Sequence, residues 1–301
     1  MFKKITRLIL FTALAIEGCV LLSQTWWVFE LFTHYAVYYG FFGTLFALLA
    51  LASRHFKTAL IWAAMVSMNL ALFTPYLTAA APAPTEGPTL KILAQNFYYE
   101  NTNVDQFVTL VRDENPDIII VVEAGEFWKT AKEKLRADYP YLHLSHITGV
   151  HGIFIASRVP GSFQEVPLGI QAGLVFTPDD LSYQVLAVHP EAPINPSWAK
   201  GRNAQFEEIA RLTHTSNVPL IVMGDFNCTP WSPYFTKLLN ESGLVDARLG
   251  FGLVPTWQAH NPLFWLPIDH ALVSPELHVQ NFKTTPAIDS DHFGIELTFK
   301  L

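Results

Sequence analysis

Apolar residues crowd into the first 80 positions of this 301-residue chain, in three stretches at about 5–22, 35–52 and 59–78. Each is as long as a helix needs to be to cross ~30 Å of hydrocarbon at ~1.5 Å per residue. Polar breaks divide them: Ser23-Gln24-Thr25 with Glu30 and His34, then Ser53-Arg54-His55-Phe56-Lys57. Residues 1–80 are therefore expected to form a membrane domain of three transmembrane helices. A cleaved signal peptide is the competing reading of the first stretch, since Lys3, Lys4 and Arg7 precede it. Against that stand a missing small-residue cleavage pattern and two further spans behind it.

Charge gives the orientation. Residues 1–80 hold five of the 19 Lys and Arg (Lys3, Lys4, Arg7, Arg54, Lys57) and two of the 26 acids, Glu17 and Glu30. The remainder carries 14 basic and 24 acidic groups, a formal net of −10. Both basic clusters lie on one side of a three-span chain, and the positive-inside rule makes that side cytoplasmic. With a bacterial host assumed, the expectation is a multi-pass inner-membrane protein. The acidic domain would then be periplasmic or extracellular. Residues 81–88, Ala-Pro-Ala-Pro-Thr-Glu-Gly-Pro, read as a semi-rigid linker. Glu17, an acid within the first span, suits a polar partner on a neighbouring helix such as Asn69. Cys19 and Cys228 fit neither a disulfide nor a zinc spacing.

From residue 89 to 301, strand and helix patterns alternate. Residues 117–122, Asp-Ile-Ile-Ile-Val-Val, form a continuous apolar run suited to a strand buried on both faces. Val104, Phe107, Val108 and Val111 recur at helical spacing before Pro116. A further helix is marked by Phe127, Ala131 and Leu135. Ser232, Pro233 and Gly243 frame another as cap, first turn and stop. The fold class is α/β, with two stacked sheets flanked by helices.

Asn96, Glu123, His189, Asp225 and Asn227 each follow an expected strand, Asp269 opens a late one, and Asp291-His292 precede the last. Singly, such residues are turn formers. Gathered on one rim, they make a cleft of carboxylates, imidazoles and amides suited to metal-assisted hydrolysis of a phosphate ester. Mg²⁺ (or Mn²⁺) takes hard oxygen ligands, which Glu123 and Asn96 supply. Asp225 can orient or deprotonate water, and Asn227 can hold water or phosphate. His189 and His292 can donate to phosphate oxygens, with Asp269 fixing a tautomer. The chain has no phosphate-cradling Gly-rich loop, no Gly-x-Ser-x-Gly and no His-Glu-x-x-His.

These residues resemble the endonuclease/exonuclease/phosphatase superfamily. The likeness rests on Gln95-Asn96, Pro116-Asp117 with Val122-Glu123, Val188-His189, Gly224-Asp225-Phe226-Asn227, Thr256-Trp257, Ile268-Asp269-His270 and Ser290-Asp291-His292. It covers residues 89–301 and implies a deoxyribonuclease I-like sandwich of two mostly antiparallel sheets. It also implies Glu123 as principal metal ligand beside Asn96, with Asp291 assisting metal or water. Asp225 would be the catalytic carboxylate, with Asn227, His189 and the His292–Asp269 pair at the phosphate. Gly152 to Arg158 matches a stretch of structural role. Arg202 matches a recurrent helix start, as either a substrate phosphate clamp or a surface cap. The chain departs from the family at Val122, usually Gln, at Pro190 after His189, and at Phe293 after His292.

Three functions compete. The first is a membrane-anchored phosphodiesterase or phosphatase acting on a lipid head group or small molecule by direct attack of an activated water. The second is a membrane-tethered nuclease. A net of −10 argues mildly against gripping long DNA, and Lys129, Lys132, Lys134 and Arg136 read as a solvated helix face. The third is a catalytically inactive binding or scaffold domain, which the intact polar set disfavours. No protein partner is inferable.

Overall fold

The computed structural model of the chain describes residues 2–80 and 87–301; residues 81–86, most of the expected linker, lie outside the described residues. Four helices come first: α1 (Phe2–Leu21), α2 (Trp27–Thr33), α3 (Ala36–Ala52) and α4 (Phe56–Thr78). Among the described residues, α4 is long and apolar enough to cross a membrane. The count rises to two if α2 and α3, bent by 59° at their break, make one span. This corrects the expectation of three. Every 18-residue stretch of α1 includes Lys4, Arg7 and Glu17, and each charge at bilayer depth costs roughly 2.5–3.5 kcal/mol on insertion scales. α3 and α4 pack as a hairpin whose close approach requires Gly43, where a Cβ would lie 2.8 Å from Val66. Asn69 of α4 donates to Glu17 Oε1 at 2.5 Å, the partnership its sequence position suggested.

The second unit runs β1 (Thr89–Asn96), α5 (Val104–Glu114), β2 (Ile118–Val122), α6 (Trp128–Ala131), β3 (Tyr141–Leu144), β4 (Ile153–Ser157), β5 (Gly161–Leu168), β6 (Gln171–Pro178), β7 (Gln184–Val188), α7 (Pro196–Thr215), β8 (Leu220–Asp225), α8 (Pro233–Ser242), β9 (Val245–Asp246), β10 (Asp269–Val273), β11 (His278–Thr285) and β12 (Gly294–Lys300). One sheet has the order β11-β12-β1-β2-β4-β3 and the other β5-β6-β7-β8-β10-β9. Each is antiparallel except for one central pair, β1 with β2 and β7 with β8. A parallel pair needs a crossover, and α5 and α7 supply the two.

Side-chain alternation builds three layers. Ile118, Ile120, Ile155, Val185, Ile221 and Met223 fill the space between the sheets. Ile119 and Val121 turn outward to Phe107, Val111 and Trp128. Val188 and Val222 turn outward to Phe206, Ile209 and Phe235. Strands buried on both faces are what the unbroken apolar runs required. α8 has the ends read from sequence: Ser232 caps Tyr234 N, and Gly243 closes the helix at φ 72°. The helix expected through Leu135 is shorter, one turn of α6 followed by a 3₁₀ turn. Lys129, Lys134 and Arg136 pair with Glu126, Asp105 and Glu133 on an exposed face. Arg158 bonds Asn115 and lies over the Tyr139 ring, a structural role.

Candidate active site

Parallel pairing puts both C-terminal ends of a pair on one edge. The sheets stack so that the ends of β1, β2, β7 and β8 converge, and these carry Asn96, Glu123, His189 and Asp225. The antiparallel neighbours begin at the same edge: Asp269 of β10 is in register with Asp225, and His292 stands two residues ahead of β12. Backbone strain collects here. Tyr98, Glu123, Asn227, Ile288 and Asp289, at φ between 51° and 60°, all lie in the loops of this edge, as expected where geometry serves a site. Gly224 has φ 150°, and a Cβ there would lie 2.0 Å from Val188 O, so the approach of β8 to β7 before Asp225 demands glycine.

At the centre, Asn96 Nδ2 donates to Glu123 Oε1 at 3.0 Å and to Asp225 Oδ2 at 3.1 Å. Asn96 Oδ1 and Glu123 Oε2 accept from the Tyr98 and Tyr99 amides. His189 Nδ1 bonds Val150 O at 2.8 Å, which turns Nε2 to the cleft, 3.7 Å from Asp225 and 3.9 Å from Glu123. His292 Nδ1 bonds Asp269 at 2.9 Å, and its Nε2 lies 3.7 Å from Asp225. Asp291 is at the rim, held by Trp257 Nε1 at 2.9 Å and 4.0 Å from His292 Nε2. The Asn227 amide donates to Pro190 O at 3.0 Å, tying the loop after β8 to the loop after β7.

Electrostatics set the protonation states. Burial, then the charge of Asp269, pushes the Asp225 carboxyl up to about 6 against the opposing pull of His292 and His189. Burial alone would depress His292, but the carboxylates of Asp269 and Asp225 outweigh it and hold the imidazole up at about 10. At neutral pH the cleft holds a carboxylate poised near the medium and a permanent imidazolium.

The donor set suits a hard divalent cation. Two carboxylates, Glu123 and Asp225, share one neutral amide donor, which leaves negative charge for a cation to balance. The one cysteine near the cleft, Cys228, is fully buried with its thiol pushed up by burial, so no thiolate competes. Asp225, Asp269 and His292 also offer atoms within 4.8 Å of one another. His292 as an imidazolium has no lone pair to give, so that trio reads as a hydrogen-bonded ion pair. Glu123, with Asn96 beside it and Asp291 at the rim, remains a candidate set of oxygen donors for a cation.

Arg202 is elsewhere. It is fully buried and pairs through Nη2 with Glu30 Oε2 at 2.5 Å, its guanidinium lying over Phe206 and Tyr234. Neither phosphate clamp nor surface cap describes it: sealed against α2, it reaches neither the cleft nor solvent. Sequence reasoning missed this clasp. Ser232 donates to Glu30 Oε1 at 2.6 Å, His34 Nδ1 meets Thr229 Oγ1 at 3.0 Å, and Trp231 Nε1 donates to His34 O at 3.1 Å. The segment around α2 thus grips residues 229–232, directly after Asp225 and Asn227. One signal was available: Glu30 is one of two acids among 80 residues and falls in a loop assigned to the same side as the acidic unit. A second missed support lies beneath. Arg248 donates to His270 Nδ1 at 2.7 Å and to Asp269 O at 2.6 Å, and His270 Nε2 donates to Cys228 O at 2.8 Å. His270 is neutral, since burial and then Arg248 depress its basicity.

Comparison with known proteins agrees with this geometry. A search of curated proteins gives no match. Among solved structures, the chain is similar to an endonuclease/exonuclease/phosphatase from Beutenbergia cavernae, at 20% identity over 71% of this chain and 72% of that one, TM-score 0.58. It is similar to the 3'-5' exonuclease NExo from Neisseria meningitidis, at 21% identity over 70% and 100%, TM-score 0.59. D. rerio TDP2, complexed with a single-strand DNA product, matches at 16% identity over 71% and 99%, TM-score 0.61. These likenesses show the fold. The Endonuclease/Exonuclease/phosphatase family profile matches residues 93–292, so the chain belongs to that family of phosphoric ester hydrolases.

Proposed function

We propose that the chain is a membrane-anchored, divalent-metal-dependent phosphoesterase that hydrolyses a phosphodiester or phosphomonoester by direct attack of water. The observation that carries the reading is geometric: Asp225 lies 3.7 Å from His292 Nε2, with Asn96 bridging Asp225 to Glu123 and Asp269 holding His292 Nδ1 at 2.9 Å. Asp225 takes the proton from the attacking water, a base matched to neutral pH. The His292 imidazolium, oriented by Asp269, donates to a phosphoryl oxygen where charge develops, and His189 Nε2 faces the same space. A bound cation, Mg²⁺ or Mn²⁺, held by Glu123 with Asn96 and Asp291, would neutralise charge on the phosphoryl oxygens.

The membrane reading is supported by the α3–α4 hairpin. Arg54 in its turn and Lys57 in the first turn of α4 mark one end, while Ala36 and Phe73 towards the other end pack on Trp231 of the catalytic unit. That arrangement favours a non-cytoplasmic active site. A reporter that fluoresces only in the cytoplasm, fused after Leu301, is expected to stay dark, and a periplasm-dependent phosphatase fused there to be active. The reverse pair of readings would put the catalytic unit in the cytoplasm.

A nuclease is the second reading, favoured by solved neighbours bound to DNA products. The net charge of −10 and the acid-paired Lys129 and Lys134 speak against it. Turnover of a phosphodiester, a lipid and DNA by the full-length protein, with Mg²⁺ and with EDTA, separates these readings. Inertness toward all three would leave the scaffold alternative.

A further inference from the structure

Between Arg248 and Asp269 the chain runs 20 residues without one Asp, Glu, Lys or Arg, inside a unit of net charge −10. The tip of this segment is the 3₁₀ turn Pro262–Phe264. There Leu263 is 76% exposed, Phe264 47% and the next residue, Trp265, 38%. Adjacent large apolar side chains held in water mark a docking surface.

Two ties fix where the tip stands. Tyr38, in the first turn of α3, donates to Trp265 O at 3.0 Å. Leu253, earlier in the same segment, packs on the cluster of Ala36, Phe73 and Trp231. The tip is therefore continuous with the interface between the α3–α4 hairpin and the catalytic unit. Tyr38 and its ring neighbour Tyr35 are of the aromatic type that settles at head-group depth. On its inner side the tip reaches the cleft. Leu266 bridges to Trp257, and Trp257 bridges to His292. Trp257 also holds Asp291, and the Trp265 ring meets Phe293 edge-on at 6.0 Å. Membrane helix, apolar tip and catalytic rim are thus joined within one short stretch of backbone.

We propose that Leu263, Phe264 and Trp265 dock into the surface of the anchoring membrane and open the cleft onto phosphodiesters of lipid head groups, a substrate class that rests on the hydrolase reading above. In that reaction a water oxygen bonds to phosphorus and one water proton passes to Asp225. One ester P–O bond breaks, and the departing alkoxide takes a proton from solvent. The products are an alcohol and a phosphomonoester. An uncharged loop suits this position, because acidic residues there would be repelled by anionic head groups and by the cleft's own carboxylates.

The test uses the full-length protein in vesicles of phosphatidylethanolamine and phosphatidylglycerol. Leu263→Cys, in a Cys19→Ala background, carries an environment-sensitive fluorophore; native Cys228 is fully buried. Lipids brominated on the acyl chain should quench this label several-fold more than the same label at Leu181→Cys, in the turn at the opposite edge of the sheets. Equal quenching overturns docking whether or not the protein is active. The double substitution Leu263→Ser, Phe264→Ser should lower phosphomonoester release from vesicle lipid by tenfold or more, with bis(p-nitrophenyl) phosphate turnover unchanged. Equal lipid turnover by wild type and variant overturns the proposal, as does a wild type that cleaves DNA and the soluble diester but not lipid. A wild type inert toward every ester overturns the hydrolase reading and the lipid substrate with it, while quenching still decides the docking.

Discussion

Two buried charge clusters flank residues 225–232, and they are built to opposite ends. In the clasp, one carboxylate meets one guanidinium, Glu30 on Arg202, both fully buried. Ser232 takes the remaining acid oxygen. In the cleft, Asp225, Asp269 and Asp291 surround one imidazolium, Glu123 joins Asp225 through Asn96, and Asp291 is open to solvent. A sealed, one-to-one pair holds elements together. A cluster with surplus negative charge and an open rim is set up to receive something from outside. The same length of chain serves both, since residues 229–232 are gripped by α2 on one side and lead from Asp225 and Asn227 on the other.

If the clasp is structural, breaking it should cost the most free energy. Glu30→Ala or Arg202→Ala leaves a buried charge unpaired, and the expected loss is about 3–5 kcal/mol of stability. Thermal unfolding of the reconstituted variants reads this. The fragment 87–301, which lacks Glu30 and His34, should be destabilised by a similar amount. Wild-type stability in either would make the clasp incidental. If the cleft is catalytic, the opposite profile holds there. Asp225→Asn should lower kcat by about 10²-fold or more with the unfolding transition kept, and His292→Ala should lower kcat by a similar factor. A folded variant near wild-type rate would remove that side chain from the chemistry.

pH sharpens the contrast further. Asp225 acts ionised, so the rate should climb as pH rises through about 6 and level off above it, the limb shifting lower with a cation bound because positive charge favours the carboxylate. His292 acts protonated, so the rate should fall as pH rises through about 10. His292→Asn should flatten the alkaline limb of kcat/KM; an unchanged limb would assign that proton to another group. The smallest effect is expected of Lys129→Ala and Lys134→Ala, whose ion pairs are exposed and screened by solvent. A large fall in turnover of any substrate would mark that face as a binding surface.

The two clusters also differ in how far sequence reveals them. Asp225 and Asn227 are two apart, Asp291 and His292 adjacent, and each set adjoins an apolar strand whose burial is readable from its composition. The cleft was legible because topology delivers strand ends to one edge. Glu30 and Arg202 are 172 residues apart and share no motif. Only three-dimensional packing joins them, so Arg202 read as a surface or substrate residue. The same lack of local signal hid the Arg248–His270 support under Asp269. α1 failed as a span for a different reason. Its apolar count was sufficient, but Lys4, Arg7 and Glu17 are spread along it. For Glu17, the pairing with Asn69 was foreseeable, since few polar groups exist nearby to satisfy it.

On this reading the cleft hydrolyses a phosphate ester with a divalent cation bound and Asp225 as base. Turnover of bis(p-nitrophenyl) phosphate by the full-length protein in vesicles tests it most directly, with Mg²⁺, after exhaustive chelation, and after Mg²⁺ is restored. Wild type should be active, fall to background on chelation and recover on addition, while Asp225→Asn stays at least about 10²-fold lower throughout. Full activity after chelation, or equal rates for wild type and Asp225→Asn, would contradict it.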